Sequence, residues 1–238
     1  MVSGRNLVQR DRTEIEVSID AGKVILQGTL GLPKDSDAIV LFAHGSGSSR
    51  HSPRNRYVAH VLQSQGIATL LFDLLTVEEE SVDNYSGQLR FDIPLLASRL
   101  VDVTRWLIKR PEAKRAQLGY FGASTGAAAA LCAAAQMRDA IHAVVSRGGR
   151  PDLAGDALDA VRAPTLLIVG GDDEPVIGMN QEAWARLRCE KKLVIVPGAT
   201  HLFEEPGALE QVARLAAEWF QQHCVASDKR TVRDSARV

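Results

Sequence analysis

Runs of consecutive apolar residues alternate along this chain with stretches in which apolar residues recur every three or four positions. Unbroken apolar runs are typical of strands buried on both faces, and the wider spacing predicts amphipathic helices. The runs predict strands at 38–43, 67–72, 117–122, 141–146, 165–169 and 193–196, and the spaced stretches predict helices at 53–65, 91–110, 125–138, 152–161, 179–188 and 206–223. Because strands and helices take turns, the pattern predicts an α/β protein with a mostly parallel central sheet and helices on both faces.

Both ends of the chain and one internal segment depart from this alternation. Polar and apolar residues alternate singly over residues 13–30, which predicts an N-terminal β-hairpin. Residues 74–90 have no regular pattern, and we expect a surface loop or small cap in which Glu78–Glu80 form a solvated face. Residues 225–238 are polar and mixed in charge, which predicts a disordered tail after a single domain at 1–224.

Composition and charge narrow the class of protein. With 238 residues, of which 45% are hydrophobic and 24% charged, the chain can bury a full core. The formal net charge is −1 and the sequence has no block of basic residues, so we expect no nucleic-acid partner. Composition and charge leave the oligomeric state open.

The sequence also indicates the cellular compartment in which the protein is expected. The first residues show no secretion signal, and the longest small-apolar run, Ala127–Ala135, is far shorter than the roughly 20 residues of a membrane span. The three cysteines, Cys132, Cys189 and Cys224, are widely separated and are typical of reduced thiols. We therefore expect a cytoplasmic protein without a membrane partner.

The segment with the clearest chemistry is Gly122-Ala123-Ser124-Thr125-Gly126. It has the pattern G-x-S-x-G, preceded by a predicted strand and followed by an alanine-rich predicted helix, which is the context in which such a serine is a nucleophile. The flanking glycines lack Cβ atoms and permit the sharp turn that exposes the serine hydroxyl. Ser124 is therefore the candidate nucleophile.

A serine hydroxyl needs a base, and the base needs a carboxylate that fixes its tautomer. His201 follows the predicted strand at 193–196, and the acidic cluster Asp172, Asp173 and Glu174 follows the strand at 165–169. The carboxyl ends of parallel strands share one edge of the sheet, where ligands bind. The order serine, acid, histidine is that of α/β-hydrolases, and the acid is one of the three carboxylates.

These segments together resemble an α/β-hydrolase of the dienelactone-hydrolase-like group, over about residues 13–223. The resemblance is carried by HGSGSS, GASTG, VSRGGRPDLA, LLIVGGDDEPV and VPGATHLFEEPGALEQVARLAAEWF. It implies Ser124 as nucleophile, His201 as base and an aspartate of the acidic loop. The family pattern G-x-x-D-x-x-V fits residues 170–176 with Asp173 as the acid, and Asp172 is the alternative. Dienelactone hydrolases proper use cysteine as nucleophile, so the serine here favours a general carboxylesterase.

The oxyanion of an acyl-transfer intermediate needs two donors. The backbone N–H of Thr125, directly after the nucleophile, should be one, and Ser46 in the glycine-rich loop at 44–47 should supply the other. We interpret His44, in the same loop, as structural. The remaining histidines His51, His60 and His142 have no partner in the sequence and are expected to be ordinary surface or partly buried residues.

Arg147 and Arg150 lie in a loop that follows the strand at 141–146. A guanidinium at this edge of the sheet can bind a substrate carboxylate through two hydrogen bonds. The alternative is an ion pair with Asp152, Asp156 or the acidic loop. Both interpretations stay open at this point.

The sequence therefore predicts a serine hydrolase that cleaves carboxylic esters or lactones through an acyl-enzyme. An acyltransferase or thioesterase would use the same residues, since only the acceptor differs. A non-catalytic binding module on the same fold is the alternative from another class. No H-x-H or H-E-x-x-H pair is present, so we expect neither a metal nor another cofactor.

Overall fold

The computed structural model describes residues 12–225. Its centre is an eight-stranded sheet in the order β1-β2-β4-β3-β5-β6-β7-β8. The strands are β1 (Arg12–Asp20), β2 (Ile25–Pro33), β3 (Ala38–Ala43), β4 (Ala68–Phe72), β5 (Gln117–Ala123), β6 (Ile141–Arg147), β7 (Thr165–Gly170) and β8 (Lys191–Val196).

The predicted sheet is confirmed. β1 and β2 form the antiparallel hairpin, and β2 joins β4 antiparallel. The pairs β3–β4, β3–β5, β5–β6, β6–β7 and β7–β8 are parallel. The carboxyl ends of β3 and of β5 to β8 therefore meet at one edge, which brings together the loops that the sequence marked as chemically important.

Residues 12–225 contain six α-helices, α1 (Pro53–Ser64), α2 (Val77–Ser86), α3 (Ile93–Ile108), α4 (Thr125–Met137), α5 (Glu174–Arg186) and α6 (Ala208–Cys224). The apolar run of β3 has no alternation because both of its faces are covered. Ile39 and Leu41 belong to the hydrophobic cluster that contains α3 and α4, whereas Val40 and Phe42 belong to the cluster that contains α1 and α6. Burying each large side chain contributes about 1.5–3 kcal/mol to folding.

The segment at 74–90 contains a helix that the sequence analysis did not assign. Thr76 starts α2 with a capping box, in which its hydroxyl accepts from the Glu79 N–H and the Glu79 carboxylate accepts from the Thr76 N–H. The Glu79 carboxylate also pairs with Arg99 at 2.6 Å. The expectation that Glu78–Glu80 is only a solvated face is therefore wrong for Glu79, because it joins α2 to α3.

Several predicted boundaries differ from the structure, among them those at α5 and at the predicted tail. Helix α5 begins at Glu174 rather than near residue 179, because Pro175 fits the first turn of a helix. Val225, the first residue of the predicted tail, is buried in the cluster with α6. The rest of that tail, 226–238, lies outside the described residues. No helix within the described part of the chain is long and apolar enough to cross a membrane.

Candidate active site

Ser124 occupies a strained turn between β5 and α4. Its φ of 51° and ψ of −123° lie in a region that side-chain-bearing residues rarely adopt, at a cost of about 1–3 kcal/mol. Two glycines make the turn possible. A Cβ atom on Gly122 would lie 2.4 Å from the Ala127 Cα, and one on Gly126 would lie 2.2 Å from the Ala43 carbonyl oxygen. The elbow is thus fixed by packing and leaves Ser124 partly exposed.

The structure brings Ser124, His201 and Asp173 into one hydrogen-bonded chain. The Nδ1 of His201 lies 2.7 Å from Oδ2 of Asp173, and its Nε2 lies 3.3 Å from Oγ of Ser124. An ionised carboxylate only accepts hydrogen bonds, so the proton lies on Nδ1, and the Nδ1–H donates a hydrogen bond to Asp173. Nε2 then has its lone pair directed at the serine hydroxyl, which is the arrangement a general base needs.

The three carboxylates of the acidic loop have different surroundings. The side chain of Asp173 is 13% exposed and touches the His201 ring. Asp172 is exposed, and its backbone N–H donates to the Ala199 carbonyl at 3.0 Å. Glu174 is exposed in the first turn of α5. Of the candidates left open by the sequence, only Asp173 is placed to orient the histidine.

The loop that carries His201 is held from several sides. Phe203 has a φ of 57° and is 1% exposed. A Cβ atom on Gly148 would lie 2.9 Å from the His201 carbonyl oxygen and 3.3 Å from the Phe203 ring. The carboxylate of Glu205 accepts from the Thr200 hydroxyl at 2.6 Å and from its N–H at 3.1 Å, and these bonds lower the pKa of Glu205.

His44 follows β3, on the other side of the elbow strand β5 from the strand that precedes His201, and its hydrogen-bond partners among residues 12–225 are both backbone groups. Its Nδ1 lies 3.0 Å from the Gly45 carbonyl, and its Nε2 accepts from the Leu74 N–H at 3.0 Å. The two bonds require the neutral ring with the proton on Nδ1. Burial lowers the pKa of His44, which agrees with a neutral ring. His44 ties the 44–47 loop to the end of β4.

The two predicted oxyanion residues are in direct contact. The Ser46 backbone N–H donates to Oγ1 of Thr125 at 2.9 Å. The N–H of Thr125 belongs to the first turn of α4, where backbone donors have no acceptor within the helix. Beside this loop lies a small cavity of about 30 Å³, lined among others by Leu75, Arg90 and Leu96.

Arg147 and Arg150 have contrasting environments. Arg150 forms a two-pronged ion pair with Asp152, with donor–acceptor distances of 2.8 and 2.9 Å. Arg147 is 7% exposed, donates to Oδ1 of Asn55 at 3.4 Å, and has no carboxylate partner among residues 12–225. Burial, together with the charge of Arg54, lowers the pKa of Arg147 to about 10. The ion-pair interpretation therefore holds for Arg150 and fails for Arg147.

The other singled-out side chains lie away from the elbow contacts. His51 is exposed, His60 lies 3.4 Å from Glu14, and His142 is partly buried. The three cysteines are free thiols, and burial raises the pKa of Cys224 to about 12. Among residues 12–225, no three His, Cys, Asp or Glu side chains are close enough to hold a metal ion.

The sequence analysis missed the residues that position the site rather than form it. Asn55 and Phe203 both contact the Arg147 guanidinium, Asn55 by the hydrogen bond and Phe203 with its ring centroid 6.0 Å away. Asn55 is 92 residues from Arg147 along the chain, so no local pattern could reveal the contact. Gly148 did carry a signal, because it lies in a loop directly after a buried strand.

The sheet order, the elbow after β5 and the serine–histidine–aspartate contacts define an α/β-hydrolase. The model of the dienelactone hydrolase family matches residues 26–224. The chain therefore belongs to the dienelactone hydrolase family. A solved dienelactone hydrolase from Anabaena variabilis is 60% identical, with a TM-score of 0.88 over 90% of this chain and 99% of that one.

Two further comparisons extend this result. Two Mycobacterium tuberculosis proteins are 62% identical over 208 residues, 87% of this chain, and carry phosphoribosyl transferase as a provisional name. The chain spans 46% of the length of these relatives. Est1E from Butyrivibrio proteoclasticus is 19% identical with a TM-score of 0.73, over 87% of this chain and 98% of that one, and so shares the fold.

Proposed function

We propose that this protein is a serine hydrolase that cleaves carboxylic esters or lactones through an acyl-enzyme. The observation that carries the proposal is the continuous chain from Ser124 Oγ through His201 to Asp173, with distances of 3.3 and 2.7 Å. Membership of a hydrolase family supports it. A serine hydroxyl gains nucleophilic strength when an oriented imidazole can take its proton.

In this mechanism the Ser124 oxygen attacks the carbonyl carbon while its proton passes to Nε2 of His201. The carbonyl π electrons move onto the oxygen, and collapse of the intermediate expels the alkoxide, which takes the proton from His201. Water then attacks the acyl-enzyme by the same steps and releases the acid. Asp173 stays ionised and stabilises the imidazolium formed in each half-reaction.

The negative oxygen of each intermediate would form between the elbow and the 44–47 loop. The first group that we assign to its stabilisation is the Thr125 N–H, at the positive end of the α4 dipole. The second donor is assigned to the contact between the 44–47 loop, at Ser46, and the elbow. Because these donors are part of a packed turn, little reorganisation is needed when charge develops.

A fluorophosphonate probe tests the proposal. The probe should label the native protein at Ser124, as located by mass spectrometry, and Ser124→Ala should lose both labelling and hydrolysis of p-nitrophenyl acetate. Ser64→Ala, which removes an exposed hydroxyl at the end of α1, is the matched control and should label normally. An unlabelled native protein, or equal labelling of Ser124→Ala, would favour the binding module instead.

We further propose that Arg147 recognises a carboxylate on the acyl part of the substrate. Its guanidinium is buried and has no carboxylate partner in the described part of the chain, and it contacts Phe203 in the loop that carries His201. Arg147→Ala should raise KM for esters of dicarboxylic acids and leave KM for neutral esters nearly unchanged. Arg150→Ala is the control, because Asp152 already pairs with that charge. An equal increase of KM for both classes of ester in Arg147→Ala would contradict the proposal.

Acyl transfer to an acceptor other than water would use the same residues. Product analysis with added alcohols, amines and thiols separates these outcomes. A hydrolase should release mainly the free acid at millimolar acceptor, whereas a transferase should give mainly the acylated acceptor. Thioester substrates tested beside oxygen esters identify a thioesterase by the larger kcat/KM.

A further inference from the structure

The 44–47 loop lies directly against the nucleophile elbow. A Cβ atom on Gly45 would come within 3.0 Å of the Cβ of Ser124, so the two segments are in van der Waals contact. Across the same contact, the Ser46 N–H donates to Oγ1 of Thr125 at 2.9 Å. The Thr125 hydroxyl therefore lies between the loop and the first turn of α4, beside the nucleophile.

This hydrogen bond uses the single proton of the Ser46 N–H. A hydroxyl that accepts one bond still has its own proton to donate. Thr125 is 3% exposed, and the structure gives that proton no acceptor among residues 12–225. The usual acceptor for a helical threonine is the carbonyl one turn earlier, as for Thr104, which donates to the Leu100 carbonyl at 2.7 Å. Thr125 begins its helix and lacks that turn.

We propose that the Thr125 hydroxyl is the second oxyanion donor, and that Ser46 acts through it. This inference rests on the proposed function. The bonds run from the Ser46 N–H to Thr125 Oγ1, and from the Thr125 hydroxyl proton to the carbonyl oxygen that becomes negative when Ser124 attacks. The hydroxyl keeps its proton throughout. Accepting a bond from Ser46 polarises the hydroxyl, and its bond to an anion is charge-assisted, so donation strengthens as the intermediate forms.

The opposite model is that the Thr125 hydroxyl blocks the Ser46 N–H and must rotate away before the oxygen can bind there. The two models make opposite predictions for Thr125→Val, which keeps the shape and removes the hydroxyl. In the donor model the variant loses a transition-state contact. In the blocking model it frees the Ser46 N–H and is as active as the native protein, or more so.

The experiment compares Thr125→Val and Thr125→Ser on p-nitrophenyl acetate. We expect Thr125→Val to lower kcat by roughly 100- to 1,000-fold, the usual loss for one oxyanion donor, with little change in KM. Thr125→Ser keeps the hydroxyl and should stay within about tenfold of the native kcat by the same reasoning. A trifluoromethyl ketone, which forms a tetrahedral adduct with an oxyanion, should bind more weakly to Thr125→Val by a similar factor.

Thr104→Val is the control for loss of a buried threonine hydroxyl, since Thr104 is fully buried and its hydroxyl bonds to the Leu100 carbonyl and the Tyr120 hydroxyl, not to residues 122–126 of the elbow. Its melting temperature should change while its kcat does not. If Thr125→Val does not fold, Thr125→Ala serves with the same expectation. A fully active Thr125→Val or Thr125→Ala overturns the inference alone. A native protein that neither labels with fluorophosphonate nor hydrolyses esters overturns the proposed function and the inference together.

Discussion

Two histidine loops flank the same serine, and their histidines have opposite surroundings. His201 lies between two side chains, with a carboxylate at Nδ1 and a hydroxyl at Nε2. His44 lies between two backbone groups, the Gly45 carbonyl and the Leu74 N–H. Both rings follow a strand at the same edge of the sheet, so their position in the fold does not distinguish them.

The partners decide what each ring can do. A carboxylate stabilises a positive imidazolium, which is the role that we propose for Asp173 beside His201. The Leu74 N–H donates to Nε2 of His44, so the lone pair of that nitrogen is already used and cannot bind a proton. His44 therefore stays neutral and links the 44–47 loop to the end of β4. The comparison therefore predicts that variants near His201 affect kcat, whereas variants of His44 affect mainly stability.

The largest expected effect comes from removing the charge beside His201. Asp173→Asn keeps the shape but offers an amide, which cannot stabilise the imidazolium and favours the wrong tautomer. We expect kcat for p-nitrophenyl acetate to fall by roughly 1,000- to 10,000-fold, as in serine proteases with the equivalent change. Steady-state kinetics and a thermal melt measure the effect and verify the fold.

Asp172→Asn is the matched control, because it removes a neighbouring carboxylate that is exposed. Its kcat should stay close to that of the native protein. A similar loss of kcat in both variants would contradict a specific role for the bond between Asp173 and His201. It would mean that kcat depends on the general negative potential of the loop.

The next effect concerns the position of the His201 loop. Gly148→Ala would place a Cβ atom 2.9 Å from the His201 carbonyl at a φ of 50°, so the loop must move. We expect kcat to fall by about 10- to 100-fold, because small displacements of a catalytic group are costly. Gly198→Ala has a comparable φ of 70° but open space around it, and should affect stability without affecting kcat. Equal kcat losses in both variants would contradict a specific role for Gly148.

The sequence was sufficient for those features that depend on local pattern. The unbroken apolar run of β3 and the glycines around Ser124 determine the sheet and the elbow within a few residues. The order of Ser124, the acidic loop and His201 was enough to bring the three together, since the ends of parallel strands converge. Asp172 and Asp173 could not be separated by residue pattern alone, because the choice depends on which carboxylate points toward a ring 28 residues away.

Features that depend on distant contacts were not predictable. The bond between Ser46 and Thr125 joins residues 79 positions apart, and its existence depends on the rotamer of one side chain. Helix α2 has no regular apolar pattern in the sequence, because the helix buries no apolar face. Its apolar residues Val77, Val82 and Tyr85 are all exposed. Its capping box of Thr76 and Glu79 was a visible signal of a helix start, and the acidic run around it obscured that signal.

A smaller effect, on the free energy of unfolding, is expected when His44 itself is replaced. His44→Phe leaves the Leu74 N–H and the Gly45 carbonyl without partners, and each buried unsatisfied group costs about 1–3 kcal/mol of stability. His44→Gln can still accept from Leu74 through its amide oxygen and should recover part of the loss. Urea denaturation gives the free energies of unfolding. A kcat loss in His44→Phe as large as that of Asp173→Asn would show that both histidines take part in the chemistry.

The smallest expected effect is the contribution of His44 to the pH dependence of the free energy of unfolding. Burial lowers the pKa of His44 in the folded protein below its ordinary value of 6.5. As the pH falls below that value, His44 binds a proton in the unfolded chain but stays unprotonated in the folded protein, so folding becomes less favourable. Between pH 7.5 and 5.5 the native protein should lose about 1 kcal/mol more stability than His44→Gln, which has no titrating group there. His51→Gln removes an exposed histidine and should keep the native slope. A His44→Gln variant with the native slope would mean that His44 accepts a proton within the folded loop, and that its two backbone bonds do not hold it neutral.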